Sequence, residues 1–131
     1  MERYIVHIKS DDSVSILLCE RDEPPELELL QELVGGYIEC APTRLGAGWE
    51  GLTVDDYEPV MLVNEEGKLL GLDKNILATQ LSGLFPLDVV VGDVAILGAD
   101  GDELVGFTKE AALNICKNCL DADFSVVMEV L

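Results

Sequence analysis

Apolar and polar residues alternate through RYIVHIK, residues 3–9, and apolar residues dominate VSILLCE, residues 14–20. Between them stand Ser10, Asp11, Asp12 and Ser13, all turn-formers, so the three segments together predict a β-hairpin. The period then changes. In RDEPPELELLQELVGG, residues 21–36, Leu27, Leu30, Leu33 and Val34 recur at helical spacing and predict one apolar stripe. Pro24 or Pro25 suits the first turn of that helix, and Glu23 and Glu26 complement the positive end of its dipole. Gly35 is expected to stop the helix, and Gly36 to release the chain into a strand, YIECA.

From Pro42 to Asp56 the pattern dissolves. PTRLGAGWEGLTVDD sets Gly46, Gly48 and Gly51 around Trp49, the chain's one tryptophan, and reads as an irregular flap that Trp49 packs onto the core. YEPVMLV is then a strand, NEEG a turn and KLLGL a returning strand. This predicts that 58–63 and 68–72 pair antiparallel with Gly67 at positive φ. DKNILATQL reads as a short helix with Asn75 as its N-cap. LDVVVGDVAILGADGDELVGF reads as a hairpin turning at Ala99-Asp100-Gly101-Asp102, with Gly92 at a bulge. TKEAALNICKNCL follows as an amphipathic helix capped by Thr108, and FSVVMEVL as a last strand.

Runs of strands interrupted by few helices predict an α+β fold. The expectation is a mostly antiparallel sheet of about six to eight strands, with two main helices and one short one. At 131 residues the chain is one domain, 1–131, with an irregular insertion at about 42–56.

Charge adds most to this picture. Twenty-six acidic residues face eight basic ones, a formal net charge of -18, and the carboxylates are spread along the chain rather than gathered in a tail. No cluster of Lys and Arg is available to neutralise phosphates, so direct nucleic-acid binding is not expected. The sign instead favours a basic protein partner, including proteins that themselves hold nucleic acid. A coat that only keeps the chain soluble would have the same composition. No apolar run approaches the roughly 18 residues of a membrane span, and MERYIVHIKSDD lacks the apolar core of a signal peptide. A cytoplasmic protein without membrane contact is expected.

Cys116 and Cys119 have CxxC spacing, which suits zinc or redox chemistry. Zinc would need a second close pair, and Cys19 and Cys40 lie in separate predicted strands. The CxxC falls near the end of its helix, where the dipole does not favour a thiolate. The cysteines are therefore expected to be reduced small hydrophobes, with no metal and no cofactor. Asp100, Asp102 and Glu103 lack the rest of a calcium loop. His7 stands alone in a strand with no nucleophile in context and reads as structural. Carboxylate pairs occur throughout, so none marks a catalytic site.

Three stretches, LQELVGGYIE, VNEEGKLLGLDKNILAT and DVVVGDVAIL, in that order and spacing, resemble a domain-of-unknown-function family of small proteins from bacteria, phages and conjugative elements. The resemblance spans roughly residues 27 to 110, and NEEGKL is its most specific part. The chain departs from the family's usual form at Asp73-Lys74, where a proline is common, and around Trp49, where its segment is longer. The resemblance implies no activity and no catalytic residue. It implies a setting, that of accessory proteins of mobile elements, which often act on host defence systems.

Two functions from different classes follow; a third class, an enzyme, is not favoured, because no carboxylate pair is informative and His7 has no evident partner. The first is a non-enzymatic acidic interaction protein, or decoy, whose carboxylates stand in for phosphates on a host defence or nucleic-acid-binding protein. Its candidate residues are Glu26, Glu28 and Glu32 on the first helix, and Glu65 and Glu66 in the NEEG turn. The alternative is a small-ligand, nucleotide-like binding protein, with Asn64, Glu65, Glu66, Gly67, Lys68, Asn75, Thr79 and the Gly-rich flap at the polar rim of its site.

Overall fold

The computed structural model describes residues 2–19, 25–43, 58–119 and 125–130. Strands β1 (Arg3–Ile8) and β2 (Val14–Cys19) form the expected hairpin, joined through Asp12 at φ 72°. Helix α1 (Leu27–Val34) and strands β3 (Ile38–Ala41) and β4 (Glu58–Asn64) follow. Then come helix α2 (Ile76–Ser82), the hairpin β5 (Val94–Asp100) and β6 (Glu103–Val105), helix α3 (Lys109–Asn114) and strand β7 (Ser125–Val130). A π-helical turn, Ile115–Cys119, continues α3.

The sheet runs β3-β4-β5-β1-β2-β7, and β6 shares with β1 one side of β5. All strand pairs are antiparallel except β2–β7, so the fold is α+β with a mostly antiparallel sheet. Residue parity along each strand decides which helix it meets. Tyr4, Val6, Met61 and Ile96 pack against Ala78 and Leu81 of α2 and Ala111 and Ala112 of α3. Ile5, Leu62, Ala95 and Leu97 face the other way, onto Leu30 and Val34 of α1. The helices thus cover both sides of the central strands.

The predicted hairpin of 58–63 with 68–72 does not form: β4 pairs with β3 and β5 instead, and 65–71 is a series of turns. Gly67 is not at positive φ. A Cβ there would lie 2.9 Å from Cγ2 of Val91 and 3.3 Å from the Asn64 carbonyl, so close packing is what needs the glycine. Gly71 takes the left-handed conformation, at φ 68°. The competing signal was a second apolar strand for β4 on each side, which local turn chemistry could not reveal.

At α1 the N-cap is Glu26, so Pro25 precedes the helix rather than entering its first turn, while Gly35 ends it at φ 79° as expected. Leu27 is exposed, and the buried stripe narrows to Leu30 and Val34 with Leu33 half-buried. Gly92 is no bulge inside a strand; it turns at φ 78° before β5 and donates its N–H to the Asp73 carbonyl at 2.7 Å. The predicted flap at 42–56 lies outside the described residues from 44 onward, Trp49 included.

Pro59 sits inside β4 without breaking a ladder. Glu65 N–H donates to the Tyr37 carbonyl at 2.8 Å, in register with Glu39↔Val63 and Ala41↔Met61, so odd-numbered residues of β4 bond toward β3. Opposite Pro59, β3 has already ended. The missing N–H therefore costs no pairing.

Candidate functional site

Seven of the ten candidate residues come from one stretch of turn and its flanks, and the structure separates them by role. Asn64, at the end of β4, is buried. Its Nδ2 donates to the Val34 carbonyl at 3.3 Å, and its Oδ1 accepts from Glu66 N–H at 2.8 Å. One side chain thus satisfies an orphan carbonyl at the end of α1 and fixes the first bend of the turn. Gly36 makes room for it, since a Cβ there would stand 2.9 Å from Nδ2.

Asn75 and Thr79 are scaffolding rather than rim. Asn75 is 0% exposed; it caps α2 by accepting from Ala78 N–H at 3.1 Å and donates to the carbonyls of Ile8 at 3.0 Å and Gly92 at 2.9 Å. Thr79 Oγ1 donates to the Asn75 carbonyl at 2.7 Å and accepts from Val90 N–H at 2.9 Å. Every polar atom of the Asn75 side chain is engaged by backbone, so it has nothing left for a ligand.

Glu65, Glu66 and Lys68 are exposed. Lys68 forms an ion pair with Asp88, whose carboxyl is held below its ordinary pKa by that bond and by the Val89 N–H. The pair stands at a pocket of about 270 Å³ to which Glu39, Glu65, Lys68 and Asp88 contribute the charged groups, with Val63, Leu84 and Val90 among its apolar walls. Three carboxylates against one ammonium leave that lining net negative.

A second cleft beside the turn, about 250 Å³, is formed by Gln31, Gly36, Tyr37, Asn64, Glu66 and Leu70. Tyr37 is 64% exposed and Leu70 60% exposed. Glu66 and Leu70 are joined by a helical bond, Leu70 N–H to the Glu66 carbonyl at 2.9 Å. Glu28 lies three residues before Gln31 on α1 and Glu32 four residues after Glu28, so all three share a flank of the helix. Glu28 and Glu32 are exposed, and α1 has no basic residue. Glu26, as N-cap, accepts at its backbone carbonyl from Leu29 N–H at 3.1 Å.

Sequence reasoning missed Tyr37, Leu70 and Asp88. Tyr37 and Leu70 lie in stretches whose pattern predicts strands, and apolar character alone carries no sign of exposure. Asp88 is twenty residues from Lys68, a separation no local pattern reports.

Among the described residues, no group of three or more His, Cys, Asp or Glu is gathered that could hold a metal ion. Cys19 and Cys116 are buried and Cys40 is exposed on β3, and burial pushes the Cys19 thiol pKa up. His7 donates its Nε2–H to the Leu33 carbonyl at 2.8 Å and is lowered in pKa by burial. No described helix is long and apolar enough to cross a membrane.

The family model of a domain of unknown function, DUF3846, matches residues 5–119. The chain belongs to that family. The match runs from within β1 to the end of the π-helical turn, and takes in both clefts and all ten candidate residues. No curated protein and no solved structure matches the chain.

Proposed function

We propose that this member of the family is a non-enzymatic interaction protein that docks a basic partner protein on the surface formed by α1 and the 65–70 turn. The observation that carries the reading is the exposed Tyr37–Leu70 pair beside Glu66 and the Glu28–Glu32 flank of α1. An exposed aromatic and aliphatic pair rimmed by charge is the composition of a protein interface, where the apolar centre supplies affinity and the rim supplies steering. The helices on the two sides of the sheet also differ in charge. Residues 26–34 hold three glutamates and no cation, whereas residues 109–119, on the other side of the sheet, hold Lys109 and Lys117 against Glu110. The setting that the family resemblance implies, accessory proteins of mobile elements, makes a host protein with a nucleic-acid-binding surface the partner class we favour.

A nucleotide-like ligand fits less well. The pocket beside Lys68 is smaller than the roughly 300 Å³ at which ordinary ligand sites begin. Its lysine is already paired, and its net negative lining repels phosphate.

The test is charge reversal by cluster. Glu28→Lys/Glu32→Lys and Glu65→Lys/Glu66→Lys are compared with Asp100→Lys/Asp102→Lys in the β5–β6 turn. Host proteins retained by the unaltered chain at low salt are expected to be lost in the first two variants and kept in the third. Tyr37→Ala should lose them at any salt. Equal losses from all three reversals would leave only a general charge effect and end the proposal.

A further inference from the structure

β3 ends the sheet, and its outer side carries backbone groups that no described strand takes up. Register and parity say which groups these are. The odd positions Tyr37, Glu39 and Ala41 bond inward to β4, so Ile38 and Cys40 turn their N–H and C=O groups to the open edge. Pro42 has the same parity as Ile38 and Cys40 and carries no N–H, which bounds the edge at two donors. The two faces of the strand differ in chemistry. Ile38 packs on the α1 side and Cys40 shares that parity, while Glu39 and Ala41 face the side of the 270 Å³ pocket, which Glu39, Glu65 and Asp88 make negative. An edge that no described strand pairs with is a template for another strand.

We infer that β3 accepts an extended segment of the partner by strand addition, and that this segment is basic on alternate residues. The inference rests on the basic-partner reading above and adds the mode of contact. Residues directly opposite in an added antiparallel strand share a face, so lysines would meet Glu39 and its neighbours while small apolar residues meet Ile38 and Cys40. Main-chain bonds to Ile38 and Cys40 supply affinity and the two faces supply selectivity. A second copy of this chain is the wrong occupant: pairing β3 with itself would bring together two chains that each carry -18 and place glutamates near glutamates.

The probe is a synthetic nine-residue peptide alternating Lys and Val, with its fully N-methylated counterpart as a control of equal charge. The plain peptide should slow amide exchange at Ile38 and Cys40 at least tenfold, and the methylated one should not. Cys40→Pro removes one outward N–H at an edge position that tolerates proline. It should keep the far-ultraviolet circular dichroism of the parent and lose at least tenfold in peptide affinity, while Cys40→Val keeps both. No binding to the parent chain, equal binding of the two peptides, or full affinity in a folded Cys40→Pro would each overturn strand addition. Equal binding of both peptides that disappears in Glu28→Lys/Glu32→Lys would overturn it while leaving the acidic docking surface standing. Loss of that surface instead would show as host proteins indifferent to the charge reversals, whatever the peptide does.

Discussion

Asn75 offers the sharpest test of the fold around the candidate site. Its side chain is fully buried and does three things at once: it caps α2, and it ties that cap to the end of β1 through Ile8 and to the turn before β5 through Gly92. Asn75→Ala deletes all three bonds and puts no polar atom in their place. Loss of an N-cap costs about 1 kcal/mol. Each buried carbonyl stripped of its donor costs about 1 kcal/mol or more. The total is about 3 kcal/mol at the low end, a large share of the 5–15 kcal/mol that holds a typical domain together. The melting temperature should fall by roughly 10 °C. Asn75→Asp separates the contributions. It keeps the acceptor for Ala78 but aims a buried carboxylate at two carbonyls, so at neutral pH it should be destabilised at least as much. Burial raises the folded pKa of that new carboxyl, and the deficit relative to the parent should shrink as pH falls through it. Urea denaturation followed by far-ultraviolet circular dichroism at two pH values measures both variants. A loss under 1 kcal/mol in Asn75→Ala, or a fully stable Asn75→Asp at neutral pH, would refute the assignment of these bonds.

Three further outcomes are expected. Gly67→Ala should destabilise by about 1–3 kcal/mol through overpacking against Val91, with a crystal structure or urea melt as the check; a neutral result would mean that Val91 yields freely. His7 has a folded pKa below its unfolded value, so the unfolded chain takes up its proton first. Its contribution is intact above about pH 6.5 and declines as pH falls below that, and His7→Gln should flatten the slope of stability just below about pH 6.5 relative to the parent. Iodoacetamide at neutral pH should label Cys40 in the native protein and spare Cys19 and Cys116, as read by peptide mass; rapid labelling of Cys19 would contradict its burial and raised pKa.

What the sequence determined by itself was local. The Ser10–Ser13 turn, the stop at Gly35, the caps at Asn75 and Thr108 and the β5–β6 hairpin all formed as their residues dictate, because each depends on atoms within a few positions of one another. Alternating apolar parity likewise fixed an α+β sheet before any pairing was known. Pairing itself was decided by tertiary structure. KLLGL has the composition of a strand, but β4 already has β3 and β5 beside it, so the segment folds into turns and exposes Leu69 and Leu70. Asn64, Asn75, Thr79, Glu65, Glu66 and Lys68 look alike as polar residues near a turn. Only their distance from carbonyls and amides far along the chain made the first three structural and left the others on the surface. The same holds for the acidic flank of α1 beside Tyr37 and for the open edge of β3. Which carboxylates share a surface, and which strand ends a sheet, are set by long-range packing that no local pattern encodes.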